Sequence, residues 1–161
     1  MRLTAIVIVA MLAGCRGKRV GLSSDLKMSD AFSERQLIDG FHDLEQKQWR
    51  WTKRRFAVVL QEPAGAERNG GTLRLQLYIP DSQIQKLGPI TLSAEAADMS
   101  LAPETFIKGG THSYARKVPP ALFRGALLPV VFTCDKALAP SDNETRELAA
   151  VVSEISLELN K

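Results

Sequence analysis

The sequence predicts an all-β fold, an antiparallel β-sandwich of jelly-roll or immunoglobulin-like type, and three observations carry that prediction. Leu73, Leu75, Leu77 and Ile79 alternate strictly with Thr72, Arg74, Gln76 and Tyr78, the period of two that marks a strand with one buried face. Ile90, Leu92, Ala94 and Ala96 repeat the pattern against Thr91, Ser93 and Glu95. Further short β-rich runs recur with Pro, Gly, Asn and Asp turn signals between them, the layout of sandwiches and barrels. Sheets with one apolar face need a second layer to cover it; a closed barrel meets the same need.

The elements follow in chain order. Met1-Arg2 supplies a positive start, Leu3 to Leu12 an apolar run broken only by Thr4, and Ala13-Gly14 two small residues before Cys15. A charged, apolar, then small-residue order is the order of a secretory signal. The run is too short to cross a bilayer, which takes roughly 20 apolar residues. Residues 1–14 are therefore expected to be removed, and 15–35 to form a modified N-terminus and linker. Residues 16–35 (RGKRVGLSSDLKMSDAFSER) are polar with no sustained period; a flexible tether of that length reaches roughly 25 Å. Arg16, Lys18 and Arg19 sit where anionic headgroups would meet them.

Residues 36–161 form the expected sandwich domain. A short helix is predicted from Asp30 or Ser33 to about Leu37. Phe56 to Leu60 is a β-rich run after the basic Lys53-Arg54-Arg55, and Gln61 to Gly71 is a loop. The two alternating strands come next, the first stopped by Pro80-Asp81-Ser82. Tyr114 to Val118 is a short strand before Pro119-Pro120, and Leu128 to Cys134 another. The C-terminus admits two readings. Leu148, Val152, Ile155 and Leu159 fit a helical stripe with Ser141-x-x-Glu144 as a capping box. Ser153 to Leu159 alternates strictly, and the antiparallel set around it favours a strand.

The chain has 161 residues, which leaves one domain's worth after the leader. The net charge of +3 is mild and spread along the chain, so nothing points to nucleic acid. Cys134 shares parity with Val130 and Phe132, which places it in the core as an inert thiol.

The chemistry-bearing residues are few. Trp49-Arg50-Trp51 puts both indoles on one face of an extended chain, where they would stack on sugar rings while Arg50 reached hydroxyl or acidic groups. Arg74, Gln76 and Tyr78 share the outward face of the clearest strand, a donor fork, an amide and a phenol suited to polyols. His42 lies near Asp43 and Glu45, and His112 beside Ser113. Neither a G-x-S-x-G elbow nor an H-E-x-x-H metal signature is present. Asn69-Gly70-Gly71 precedes a strand rather than a helix, so it is a turn and not a phosphate loop. Asp142, Arg146 and Glu147 are placed to form an ion-paired corner before the last element. No metal, catalytic residue or cofactor is expected. The expected function is non-catalytic binding, with carbohydrate as the leading ligand. Two other readings are a hydrolase or transferase using His42 or His112 with nearby carboxylates, and a structural component docking a protein partner.

Leu12-Ala13-Gly14-Cys15 resembles the lipobox of bacterial lipoproteins. The resemblance implies cleavage before Cys15, a diacylglycerol on its thiol and an acyl chain on the new N-terminus. It implies an exported, membrane-anchored protein of the cell envelope, and Arg16 in place of an aspartate favours the outer membrane. Cys134 would then have no partner within the chain. Gly40-Phe41 with Glu45, Trp49-Arg50-Trp51-Thr52 and Phe56-Ala57-Val58-Val59-Leu60 resemble poorly characterised bacterial proteins in which a lipobox precedes one β-sandwich. So do Leu101-Ala102-Pro103-Glu104-Thr105-Phe106 with Gly109-Gly110, Asp135-Lys136-Ala137-Leu138-Ala139-Pro140, and Arg146-Glu147-Leu148. Similar sandwiches accompany glycosyltransferase-type enzymes. The family pattern has Gly after Arg-Glu-Leu, where this chain has Ala149. The resemblance implies a strand at the C-terminus and implies no established activity.

Overall fold

Alternation decides which face each strand buries. In the computed structural model, which describes residues 21–161, strand β4 (Gly71–Ile79) buries Leu73, Leu75, Leu77 and Ile79 and turns Thr72, Arg74, Gln76 and Tyr78 outward. The lipobox, Cys15 and the basic Arg16, Lys18 and Arg19 lie outside the described residues. The other strands are β1 (Asp25–Lys27), β2 (Leu37–Glu45), β3 (Trp49–Gln61), β5 (Ile90–Ala96), β6 (Met99–Phe106), β7 (Gly110–Val118), β8 (Leu127–Cys134) and β9 (Val151–Leu159). Two short helices, α1 (Ala66–Asn69) and α2 (Asp81–Leu87), and 3-10 turns at Ser33–Gln36 and Pro120–Leu122 complete the elements.

Hydrogen bonding runs β6-β5-β8-β3-β9-β4-β7, with β2 added to β3 and β1 to β9, every pair antiparallel. The 13-residue β3 serves both layers. Its Arg55–Gln61 half pairs β8, and Arg50-Trp51 pairs β9. One layer is therefore β2-β3-β8-β5-β6 and the other β1-β9-β4-β7, joined at β3. At the opposite margin β6 meets β7 through side chains. The Tyr114 hydroxyl donates to the Ala102 carbonyl at 2.9 Å; Arg116 donates to the Ala102 and Pro103 carbonyls at 2.7 and 2.8 Å and pairs with Glu104 at 3.1 Å. The sandwich is nearly a closed barrel.

The core lies between the layers. Phe56 and Phe132 stack at 5.0 Å, with Phe41 edge-on to Phe56 and Tyr114 edge-on to Phe132. Leu73, Leu75, Ile155 and Leu157 close it from the other layer. Each such side chain contributes about 1.5–3 kcal/mol by leaving water. Gly40 lets β2 cross this sheet closely. Its φ is 80°, and a Cβ there would sit 2.1 Å from the Arg55 carbonyl oxygen, so the β2 register breaks around it.

Several expectations change. The linker expected over 15–35 is folded from Ser23 on: Leu26 and Met28 are buried in the core, and β1 pairs β9 across Leu26–Ile155. Two buried residues in a polar stretch leave no visible period. The helix expected from Asp30 or Ser33 is a single 3-10 turn, Ser33–Gln36. Strands β2 and β6 and helix α2 are additions to the expected elements; register shifts break the pattern of β2, and β6 is mostly exposed. The C-terminal segment is a strand, and Ser141 and Glu144 exchange main-chain hydrogen bonds in a tight turn rather than capping a helix.

The loops gather at two ends. The main-chain bonds of Gln61 to Ser23, Glu62 to Ala126, Ala97 to Pro129 and Asn160 to Gly70 define one end. At the other, the β2–β3 turn, α2, the β6–β7 turn and the segment before β9 come together. There Gln83, fully buried, donates to the Ala149 carbonyl at 2.6 Å. A Cβ on Gly109 would lie 2.5 Å from the Asp81 carboxylate. No helix among the described residues is long and apolar enough to cross a membrane.

Candidate functional site

On the outer face, near the second end, the register lines up a row of side chains across four strands. Trp51 on β3 is opposite Val151 on β9, Val151 is opposite Tyr78 on β4, and Tyr78 is opposite Thr111 on β7. At this end of β3 the odd-numbered residues face outward, because Thr52 is buried while Trp51 and Lys53 on either side of it are not. Trp49 therefore stands next to Trp51 on the same face, about 7 Å along the strand. A register shift between Gln76 and Leu77 leaves Ser153 exposed at a bulge of β9. Bulges of this kind re-aim side chains locally.

The result is a groove of about 450 Å³ between Trp49, Trp51, Tyr78, Thr111, Val151 and Ser153. Both indoles are half-buried and line the groove. Tyr78 is 44% exposed. Glu45 stands at the wall and is held there by Arg146, whose guanidinium donates to it at 2.6 Å.

Of the six residues singled out in the sequence, three line this groove: Trp49, Trp51 and Tyr78. Gln76 and Arg74 continue from it along β4 on the same outward face. Gln76 donates to the Ser113 hydroxyl at 3.3 Å, and Arg74 pairs with Glu158 at 3.0 Å. Arg50 is turned the other way, as its place between the two indoles requires. Its guanidinium donates to the His42 carbonyl at 3.1 Å and lies 3.5 Å from Glu34. It lines a separate polar hollow with Glu34, Asp39 and Lys53. Sequence reasoning missed Val151, Ser153 and Thr111. Their place depends on how β9 and β7 register on β4, which no local pattern encodes.

The ion-paired corner keeps Arg146 from the expected trio but pairs it with Glu144 and Glu45 rather than with Asp142 or Glu147. Arg146 holds Glu144 through both carboxylate oxygens, at 2.8 and 2.9 Å, and Glu45 besides. These hydrogen bonds to Arg146 hold the Glu144 carboxyl down to about 2. Glu147 instead accepts from the Arg54 main-chain N–H at 2.6 Å. Asp142 takes part in no ion pair among the described residues.

Each of the two histidines spends its Nε2 on a main-chain carbonyl. His42 Nε2 meets the Glu147 carbonyl at 2.7 Å and so carries the proton. His112 Nε2 does the same toward Lys108, with its ring 4.5 Å from Phe106. Among the described residues no three His, Cys, Asp or Glu side chains gather as a metal site. Cys134 is 1% exposed and free, and burial first, then Asp135, pushes its thiol up to about 12 against the pull of Arg54.

No protein-family model matches the sequence, and no curated protein matches it. Among solved structures, the fold is similar to the CBM51-2 and INT domains from Clostridium perfringens ZmpB. The identity is 13% and the TM-score 0.38, over 85% of this chain and 29% of that one. The chain thus spans under a third of that neighbour's length. The all-β sandwich stands on the strand pairing itself.

Proposed function

We propose that the protein is a lipid-anchored, exported, non-catalytic binding module that holds carbohydrate in the groove between Trp49, Trp51 and Tyr78. The observation that carries the binding site is the cross-strand row Trp51–Val151–Tyr78 with Trp49 beside it. Rigid rings set side by side on a sheet offer flat apolar faces to the C–H face of a pyranose. Thr111, Ser153 and Tyr78 bring hydroxyls to its rim. Gln76 and Arg74 extend the polar margin along β4. The non-catalytic reading draws support from the main-chain partners of His42 and His112, which tie both imidazoles to carbonyl groups.

Anchoring rests on Leu12-Ala13-Gly14-Cys15. A diacylglycerol on Cys15, with an acyl chain on its amine, attaches the domain to a membrane, the outer one by the residue after it. Envelope glycans or envelope proteins are then the partners in reach.

A glycan array with the full-length protein tests the site. Binding to at least one glycan is expected, weakened at least about tenfold, or ~1.4 kcal/mol, by Trp51→Ala and by Trp49→Ala. No binding, or binding that ignores both changes, overturns the carbohydrate reading. Cys15→Ser is expected to abolish lipid labelling and membrane retention. Retention and labelling that persist overturn the anchor.

A further inference from the structure

At the end remote from the groove, a second depression of about 400 Å³ lies between the β5–β6 turn and the segment leading into β8. Ala97, Leu122, Leu128 and Pro129 line it, and Met99 and Leu127 stand exposed there by 40% and 43%. Leu22 and Leu159 are exposed by 37% and 41% at the same end. Half of the strongly exposed large apolar side chains among the described residues are therefore gathered at one end of the sandwich. Single exposed apolar residues are ordinary; a gathered set marks a contact.

The N-terminal segment enters the fold at this same end. The Ser23 carbonyl accepts from the Gln61 main-chain N–H at 3.0 Å and from the Gln36 amide at 2.8 Å. The Ser23 N–H donates back to Gln36 at 2.7 Å, and Gln36 is itself buried. Ser23 is thus pinned. Cys15 is eight positions upstream, so at full stretch its Cα is at most about 29 Å from this end. Arg16, Lys18 and Arg19 fall within that span. On the domain, Arg124 is exposed at the depression. Glu62, in the same lining, is occupied by the Arg124 and Gly125 main-chain N–H groups at 3.2 and 3.0 Å. Asp98 at the turn tip is the remaining acid of the lining.

We propose that this end is a membrane-docking face, seated on the phospholipid bilayer that holds Cys15. Leu22, Met99, Leu127 and Leu159 enter the interfacial layer, and Arg124 meets anionic headgroups. Interfacial binding of this kind adds apolar contact to headgroup attraction. The proposal rests on the Cys15 anchor and goes beyond it by fixing which end faces lipid. The short span decides the geometry: a chain of that length cannot carry the domain far from the surface.

Depth-dependent quenching tests this on the full-length lipidated protein. The vesicles are phosphatidylethanolamine and phosphatidylglycerol, a fraction of the lipid carrying a headgroup nitroxide. A fluorophore is placed on Met99→Cys, on Leu127→Cys, and on Ile107→Cys at the groove end. Buried Cys134 stays unlabelled. At least about twofold stronger quenching is expected at 99 and 127 than at 107, and removing phosphatidylglycerol should reduce it. Flotation with equal or negligible quenching at all three sites overturns the docking face and leaves the anchor standing. Failure to float overturns the anchor, and the docking face falls with it.

Discussion

Cys134 illustrates how parity in a strand sets chemistry. It follows Val130 and Phe132 on the inward face of β8 and is 1% exposed. Moving its thiol from 9.0 to about 12 lowers the thiolate fraction at pH 8 about a thousandfold. Alkylation by iodoacetamide at pH 8 should therefore be at least that much slower in the native protein than in urea. Rapid native alkylation would place the thiol at the surface. Trp49 and Trp51 show the same rule outward, and Arg50 between them shows its cost to the sequence reading. Neighbours in a strand cannot serve one face, so an arginine flanked by two outward-facing indoles reaches His42 and Glu34 instead. At this scale alternation was legible wherever it stayed strict, and Leu73 to Ile79 needed nothing more.

At the scale of elements, legibility depends on whether a strand is regular. Strands β4, β5, β8 and β9 carry their period openly. Strand β2 does not, because Gly40 and three register shifts break its pattern as it crosses β3. Strand β6 shows no clear period because only Leu101 and Phe106 are buried along it. Which edge it approaches was invisible too, since the β6–β7 seam is held by Arg116 and Tyr114 rather than by a ladder. That seam makes a prediction. Arg116→Ala removes the donors to Ala102, Pro103 and Glu104 and should cost roughly 1–3 kcal/mol. Hydrogen exchange should speed up at the amides of β6 and β7 while β3 and β8 keep their protection. Uniform loss of protection would mean that the seam is not a local latch.

For the whole molecule, fold class was readable and strand order was not. Length, period and turn spacing select an antiparallel sandwich, whereas the order β6-β5-β8-β3-β9-β4-β7 is set by contacts far apart in sequence. The groove shares that limit: its aromatic members are conspicuous in the sequence, while Val151 and Thr111 join them only through the pairing of β9 and β7 with β4. The two ends of the sandwich also divide the work proposed for it. From Gln61, beside the pinned Ser23, to Trp51 the strand runs ten residues, about 33 Å. A domain seated on lipid at one end would hold its aromatic groove out toward whatever lies beyond the headgroups.

The sharing of β3 between both layers has a consequence for how the protein melts. Neither layer can dissolve while the other persists, because each would strip partners from the same strand. Domains of this size without separable halves usually unfold in one step. Both tryptophans lie on β3, so indole fluorescence reports on the shared strand and far-ultraviolet circular dichroism on the sheet as a whole. The two signals should trace the same urea transition, with one midpoint and one slope. Two midpoints would mean that the layers part company, and that the strand between them is a hinge rather than a spine.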